Sequence, residues 1–556
     1  MSGAAIGSAA TLLLSETDAV AASIADTVAA HGWTPQMFGA LGDGVDDTDA
    51  IDALFAAVNA AGKGSIFFPV GTYRYTKTGT PGSVNLELTD ITGLDIVFAP
   101  GAKLKLKADF VHSSSLTSAA PILRRCKNVN MINVEIDGDI SAGTKTGTEQ
   151  GEHAIQLFGC SDVFMLNCKF RDSANDGLYI DHTWSAGSIV SRSERFTVVN
   201  ADCYNNGRQG LSVIGLFNSC FVNCTFRDTG NTGSFGHYGP GAGVDLEPNT
   251  STVLAIDNVE FINPRIYGNI GGVFFAGGFA TSSFDGAIRR VRIVNPDWKS
   301  KSTSAASDQI IMWFQDGQIE GGKIDLTEAG AGVPLMSLAY STYHSKISII
   351  GTEITAKVLI LDASLGSGKT KYDQIVNIRD CRLRTIDATA GGYVHVDLET
   401  GGVFENNTVT IPATAYSSGT TRKCIELTNA SVVGNRFVTD LADGSKQFTV
   451  NCGASAFDNS FSGRFGYVDT TRAAVAPAVG QGRALAGGQQ LDLFDYRGIA
   501  TGVSMRVFAS YAVPSSGAWL RGDLVWNAQP SVGSPAFWVC VGSGSPGSWG
   551  AGPNLV

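Results

Sequence analysis

Gly177-Leu178-Tyr179-Ile180-Asp181, Gly210-Leu211-Ser212-Val213-Ile214 and Gly243-Val244-Asp245-Leu246-Glu247 repeat one phrase, a glycine followed by apolar-x-apolar-x. Ala154-Ile155-Gln156-Leu157-Phe158 precedes them and Gly272-Val273-Phe274-Phe275-Ala276 follows, so that successive copies begin 23, 33, 33 and 29 residues apart. A second series runs between them, an asparagine after an apolar residue at 133, 167, 200, 223, 263 and 295. A unit of this size cannot bury its apolar side alone, but stacked on its neighbours it forms a continuous core and pairs every backbone group. The expectation is a parallel β solenoid. Its rungs lie about 4.8 Å apart, and the repeated Asn is structural, its amides stacking at an inner turn. Cys168 and Cys224, which directly follow two of these Asn residues, share that structural reading.

Composition agrees. The 556-residue chain has 67 Gly and only 16% charged residues, which suits many short strands and tight turns. The net charge of −11, with no Lys or Arg before Lys63, argues against a nucleic-acid or anionic-lipid surface. Ala4 to Leu14 is apolar but lacks a basic residue ahead of it and is too short to span a bilayer, so neither a targeting segment nor membrane insertion is expected. The ten cysteines read mainly as reduced core residues; Cys220 and Cys224 lie four apart without nearby His, and no metal or cofactor site is expected.

Three regions follow. Residues 1–34 are an Ala-rich arm or attachment segment. Residues 35–465 hold the solenoid, entered through a capped amphipathic helix with Ile51, Leu54, Phe55 and Val58 on one face and Gly62 as its stop. Residues 466–556 form a small β module with Trp519, Trp526, Trp538 and Trp549, suited to subunit closure or to sugar binding.

Phe38-Gly39-Ala40-Leu41-Gly42-Asp43-Gly44-Val45-Asp46-Asp47-Thr48, with Phe68-Pro69-Val70-Gly71-Thr72-Tyr73, resembles the N-terminal signature of the pectate-lyase-like β-helix superfamily, which recurs in bacteriophage tailspike depolymerases. Gly522-Asp523-Leu524-Val525-Trp526-Asn527, Phe537-Trp538-Val539-Cys540 and Gly547-Ser548-Trp549 resemble a module found at the ends of such proteins. The resemblance implies an all-β, right-handed parallel β-helix, a homotrimer, and attachment to a phage tail or baseplate through the N-terminus. The implied partner is a bacterial surface polysaccharide. The Asn-Thr-Asp and Gly-His-Gly motifs of polygalacturonases and the calcium-ligand run of pectate lyases are missing, so the chemistry has to come from this chain's own residues.

Strand alternation puts Gln156 and Phe158, Tyr179 and Asp181, Ser212 and Ile214, Asp245 and Glu247, and Phe274 and Ala276 outside, with His153, Asp176, Arg208 and Gln209 at the edge of the same face. Glycoside hydrolysis needs two carboxyl groups, about 5 Å apart for retention or about 6.5–9.5 Å for inversion. Asp245 and Glu247 share one strand face at roughly 7 Å between Cα atoms, and Asp181 lies about 10 Å away along the stack. These three acids are the expected catalytic set. Asp176, Tyr179, His182, Arg208, Gln209, His237, Tyr238 and Phe274 are the expected substrate contacts, and Trp313 reads as core. The resulting expectation is a tailspike depolymerase that hydrolyses a capsular or exopolysaccharide. The alternatives are a lyase that removes the C5 proton of a uronic acid through Arg208, His182 and Tyr179, a bacterial enzyme that modifies its own exopolysaccharide, and an adhesin that only binds.

Overall fold

A computed structural model describes most of residues 32–462 and 491–554, together with Ser23, Asp26 and Val28; residues 231–240, which include His237 and Tyr238, lie outside the described residues, as does most of 1–31. The chain divides into two compact units, residues 1–337 with 342–347, and residues 338–341 with 348–556.

In the first unit each rung carries one strand in each of three parallel sheets. The rung beginning at Ile155 runs through Ile155–Phe158, Ser161–Leu166 and Lys169–Arg171. The first sheet contains β1 (Ile155–Phe158), β2 (Leu178–Asp181), β3 (Leu211–Val213), β4 (Ala242–Leu246) and β5 (Gly272–Gly277), paired in that order. The fold is therefore an all-β right-handed parallel solenoid, with one N-terminal helix and a small C-terminal β module.

Inside, Leu157, Ile180, Val213 and Leu246 stack as one fully buried column. Burying each such side chain contributes about 1.5–3 kcal/mol, and the repeat supplies one per rung. Aromatics extend the column principle: Phe221 and Phe261 stack at 4.9 Å, and Phe274 and Trp298 at 5.3 Å. Gly243 marks a close approach, because a Cβ there would lie 2.3 Å from Ile266 Cγ2. The glycine of the repeat thus serves core packing.

Each of the six repeated asparagines has φ between 51° and 55°, the left-handed conformation that Asn tolerates. Their amides do form ladders, Asn263 Nδ2 lying 2.9 Å from Asn223 Oδ1 and Asn295 Nδ2 3.0 Å from Asn263 Oδ1. These turns sit at the surface, however, and not at an inner turn. The inner positions belong to Asn206 and Asn269, whose carbonyl oxygens accept from Ser173 and Thr229. Cys168 and Cys224 are buried thiols that donate to backbone carbonyls.

Helix α1 (Thr48–Ala61) lays Ile51, Leu54, Phe55 and Val58 against the first rungs and stops at Gly62, φ 65°. Its expected side-chain cap is absent. The Asp47 carboxylate instead accepts from the backbone N–H groups of Leu41 and Gly42, and so holds the entry loop.

The second unit repeats the three-sheet rung and has its own buried ladder: Asn407 Nδ2 donates to Asn435 Oδ1 at 3.0 Å and Asn435 Nδ2 to Asn459 Oδ1 at 2.9 Å. In the C-terminal module, Trp519 and Trp538 are buried with Val525 and Cys540, Trp549 packs beside them, and Trp526 is exposed.

Candidate functional site

The outer face of the first sheet is built by register. Gln156, Tyr179, Ser212, Asp245 and Phe275 form one column, while Phe158 and Asp181 begin a second that Glu247 joins one residue after β4. At the entrance to the strands, His153, Asp176, Arg208 and Gln209 stand where the chain turns into the sheet.

These residues condense around Asp176, which has no solvent-exposed surface. Its Oδ2 lies 2.8 Å from Ser212 Oγ, 3.0 Å from His153 Nδ1 and 3.5 Å from an Arg208 Nη. Burial pushes the Asp176 carboxyl up, but Arg208 and His153 outweigh it and hold the group below the usual carboxylate range. Arg208, 3% exposed, also donates to Glu247 Oε2 at 2.8 Å. Burial opposes its charge, while Asp176 and Glu247 more than restore it.

Asp245 behaves in the opposite way. It is 4% exposed, accepts from Gln209 Nε2, and is pushed well above the carboxylate range first by burial and then by the charge of Glu247. Its neutral form is favoured. The Ser212 hydroxyl stands between Asp176 Oδ2 and Gln209 Oε1 and gives its one proton to either, so polar contacts run from Asp176 through Ser212 and Gln209 to Asp245.

The structure brings together Asp176, Tyr179, Arg208, Gln209, Asp245 and Glu247. Asp181 is engaged elsewhere. Its Oδ1 accepts from His182 N at 2.6 Å and Trp184 Nε1 at 2.8 Å, within a hairpin of Thr183–Ser185 and Ser188–Ser191. Burial raises its carboxyl to about 6. His182 is enclosed, its Nδ1 accepting from Ser193 N and its Nε2 donating to Ala255 O, each at 2.9 Å, and burial lowers its pKa to about 4. It is a neutral packing residue.

Phe274 points inward. The pairing Val244–Phe274 shows that β5 is offset by one residue from the repeat read in the sequence, which puts Phe275 outside beside Asp245 and Phe274 in the core. The same register carries Trp313 to the outer face, paired with Gly277 and donating from Nε1 to Ser337 Oγ at 2.8 Å. A Cβ on Gly277 would lie 2.9 Å from Trp313 Cε3, so the indole covers the glycine. Trp313 is half-buried and outward, contrary to its reading as core.

Two members of the network, His153 and Ser212, were expected on this face but not among the substrate contacts. His153 stands before Ala154 as Asp176 stands before Gly177, and Ser212 follows Leu211 as Tyr179 follows Leu178. His153 and Tyr179 stack with ring centres 4.3 Å apart, and Phe158 adds a second aromatic at 5.8 Å from Tyr179. Burial raises the Tyr179 phenol well above its ordinary value, and Asp181 and Asp176 raise it further. Among the described residues no cluster of three or more His, Cys, Asp or Glu is arranged to hold a metal ion.

Residues 36–245 match the family described as Rhamnogalacturonase A/epimerase, pectate lyase-like. Mannuronan C5-epimerase AlgE1 of Azotobacter vinelandii is 52% identical over 191 residues, which is 34% of this chain and 13% of that protein. The chain spans 10–13% of the length of the first curated epimerases it matches. Plasmin and fibronectin-binding protein A of Streptococcus pneumoniae is 28% identical over 190 residues, 28% of this chain and 25% of that protein. Among solved structures, the A-module of Azotobacter vinelandii mannuronan C-5 epimerase AlgE6 aligns with a TM-score of 0.41 and 15% identity, covering 81% of this chain and 100% of that one. Others that align include a bacteriophage phi29 gene product and a surface adhesin of Streptococcus pneumoniae.

These findings overturn the expected hydrolytic or lytic depolymerase and its tailspike setting, since the curated relatives are epimerases and a binding protein. The geometry supplies a physical reason on the hydrolytic side. Asp245 is sealed, Asp181 is engaged by His182 and Trp184, and Glu247 is tied to Arg208, so among the described residues the three expected acids do not form a pair of free carboxyl groups. The three-sheet rung and its register make this chain a right-handed parallel β-helix, within which residues 36–245 are similar to the pectate lyase-like family.

Proposed function

We propose that this chain recognises an extracellular polysaccharide along the outer face of its first sheet and leaves the glycosidic bonds intact. The observation that carries the reading is the pairing of half-buried aromatic surfaces, Phe158, Tyr179 and Trp313, with a rigid polar floor of Asp176, Arg208, Ser212 and Glu247. Aromatic faces supply stacking area for sugar rings, and side chains locked by buried hydrogen bonds supply orientation at little entropic cost. Among the described residues, Glu247 and the rim of Tyr179 are polar groups within reach of a ligand. Action outside the producing cell and assembly as a trimer belong to this proposal. The test is binding of purified protein to a panel of bacterial polysaccharides, with chain length followed by light scattering: binding at constant mass supports the reading, and shortened chains refute it.

A second reading, C5 epimerisation of a uronic-acid polymer, is favoured by the sequence match to mannuronan C5-epimerases. Epimerisation moves the C5 proton off one face of the ring and returns a proton to the other, so it needs positioned proton-transfer groups without cleavage. Tyr179, its ring held by His153 and its phenol kept protonated by burial, is placed to hand a proton to a bound ring, and a base would be needed on the opposite face. In heavy water, epimerisation places deuterium at C5, whereas binding alone leaves C5 unlabelled.

A further inference from the structure

The register of the first sheet sets an acid between two aromatic rings. Phe158, Asp181, Glu247, Gly277 and Trp313 follow one column of its outer face, Glu247 joining it directly after Leu246, which pairs with Ala276. Five rung steps carry the column about 24 Å from the first ring to the last. Glu247 stands three steps from Phe158 and two from Trp313, and all three side chains are half-buried, with one side open to solvent.

The charges along this column decide what can lie on it. Among the described residues the face carries two guanidinium groups, and both are committed. Arg208 is 3% exposed and divided between Asp176 and Glu247. Arg124 lies 4.9 Å over the Phe158 ring and donates from Nε to Glu87 Oε1 at 2.5 Å. Opposite them stand Glu87, Asp176, Asp181, Asp245 and Glu247. Even with Asp245 favouring its neutral form, the remaining four acids outnumber the two cations. A uronate carboxylate laid on the column would therefore meet Glu247 with no uncommitted guanidinium to receive it, and a like-charge contact of this kind selects against a ligand. Sugar hydroxyls meet the opposite situation. A carboxylate offers about four acceptor sites, so Glu247 can take the Arg208 N–H on Oε2 and still accept hydroxyl protons, and hydrogen bonds to an ionised acceptor are the stronger kind.

We infer that the polymer recognised on this face is built of uncharged sugars, whose hydroxyls donate to Glu247 between the Phe158 and Trp313 rings, and that uronate-rich chains are repelled. This rests on recognition of a polysaccharide by the same face, and it separates that reading from epimerisation, which requires a uronate.

Affinity electrophoresis of the full chain tests this with a panel of purified bacterial polysaccharides sorted by composition, with dextran, alginate and chitosan as the neutral, uronate and cationic references. Only neutral polymers should retard the wild-type protein, and their affinity should change less than about twofold between about 50 and 500 mM NaCl, because screening has no charge on the ligand to act on. Glu247→Gln should lower that affinity by about tenfold, the scale of one hydrogen bond to a charged group. Retardation by alginate or another uronate polymer, equal to or stronger than by the neutral ones, would overturn the inference, as would unchanged neutral binding in Glu247→Gln. A preference for chitosan that fades with salt would overturn it in favour of a cationic sugar. Binding to no polymer at all would refute recognition itself and the preference with it. A urea midpoint for Glu247→Gln shows whether the variant is folded; if it is not, the wild-type panel and its salt dependence decide.

Discussion

Arg208 reaches from the entrance of β3 to Glu247, 39 residues further on, with its Nη2 2.8 Å from the Glu247 carboxylate, and its other Nη faces the wholly buried Asp176 at 3.5 Å. One cation thereby serves two acids of different depth, and the two should respond differently to its loss.

Arg208→Met removes the cation beside a carboxylate without solvent access and should destabilise the first unit by about 3–5 kcal/mol, the usual cost of orphaning a buried charge. Glu247→Gln touches a partly exposed partner and should cost about 1 kcal/mol or less. Chemical unfolding monitored by intrinsic fluorescence compares the two, and equal losses would contradict the nesting of Asp176 beneath Arg208.

Two neighbours make opposing contributions to pH-dependent stability. Asp181, raised to about 6, favours the folded state when protonated, so its contribution is present below the unfolded carboxylate pKa and is lost as pH rises through 6. His182, lowered to about 4, favours the folded state when neutral, so its contribution is present above about 6.5 and is lost as pH falls toward 4. Between these values the two largely cancel. Asp181→Asn removes one side of the balance, and its stability should fall more steeply than wild type between pH 6.5 and 4.5 in urea titrations.

Gly243→Ala adds a methyl group where Ile266 Cγ2 lies 2.3 Å away. Overpacking of about 1–3 kcal/mol is expected, seen as a lower denaturation midpoint. An unchanged midpoint would mean that β4 can move away from the third sheet.

Much of this was legible before the structure. The repeat and its αL asparagines specify a solenoid because strand alternation and rung stacking leave few other ways to bury those residues, and the patch around Asp176, Arg208 and Glu247 follows from the register. Two things escaped. Val273-Phe274-Phe275 offers three apolar residues in a row, so alternation cannot say which faces in, and the one-residue offset exchanged the roles expected of Phe274 and Phe275. Trp313 moved outward for a related reason, since its rung follows the same shifted register. Facing outward also proved different from being accessible: Asp245 on the outer side of β4 and Asp176 at the entrance to β2 are both sealed by their neighbours, which no spacing rule reports.

Trp313→Ala removes an aromatic face from the proposed binding surface. Polysaccharide affinity should drop by about tenfold, the scale of one aromatic contact, with Trp313→Phe retaining most of it. Isothermal titration with oligosaccharides of increasing length measures the change. Equal affinities for all three proteins would remove Trp313 from the binding face.

Recognition without cleavage is tested most directly by the molar mass of a bound polysaccharide over prolonged incubation, with reducing ends and ultraviolet-absorbing unsaturated ends counted in parallel. Saturable binding, constant mass and no new ends are expected, with binding weakened in Trp313→Ala. A fall in mass with new ends appearing in proportion would contradict it.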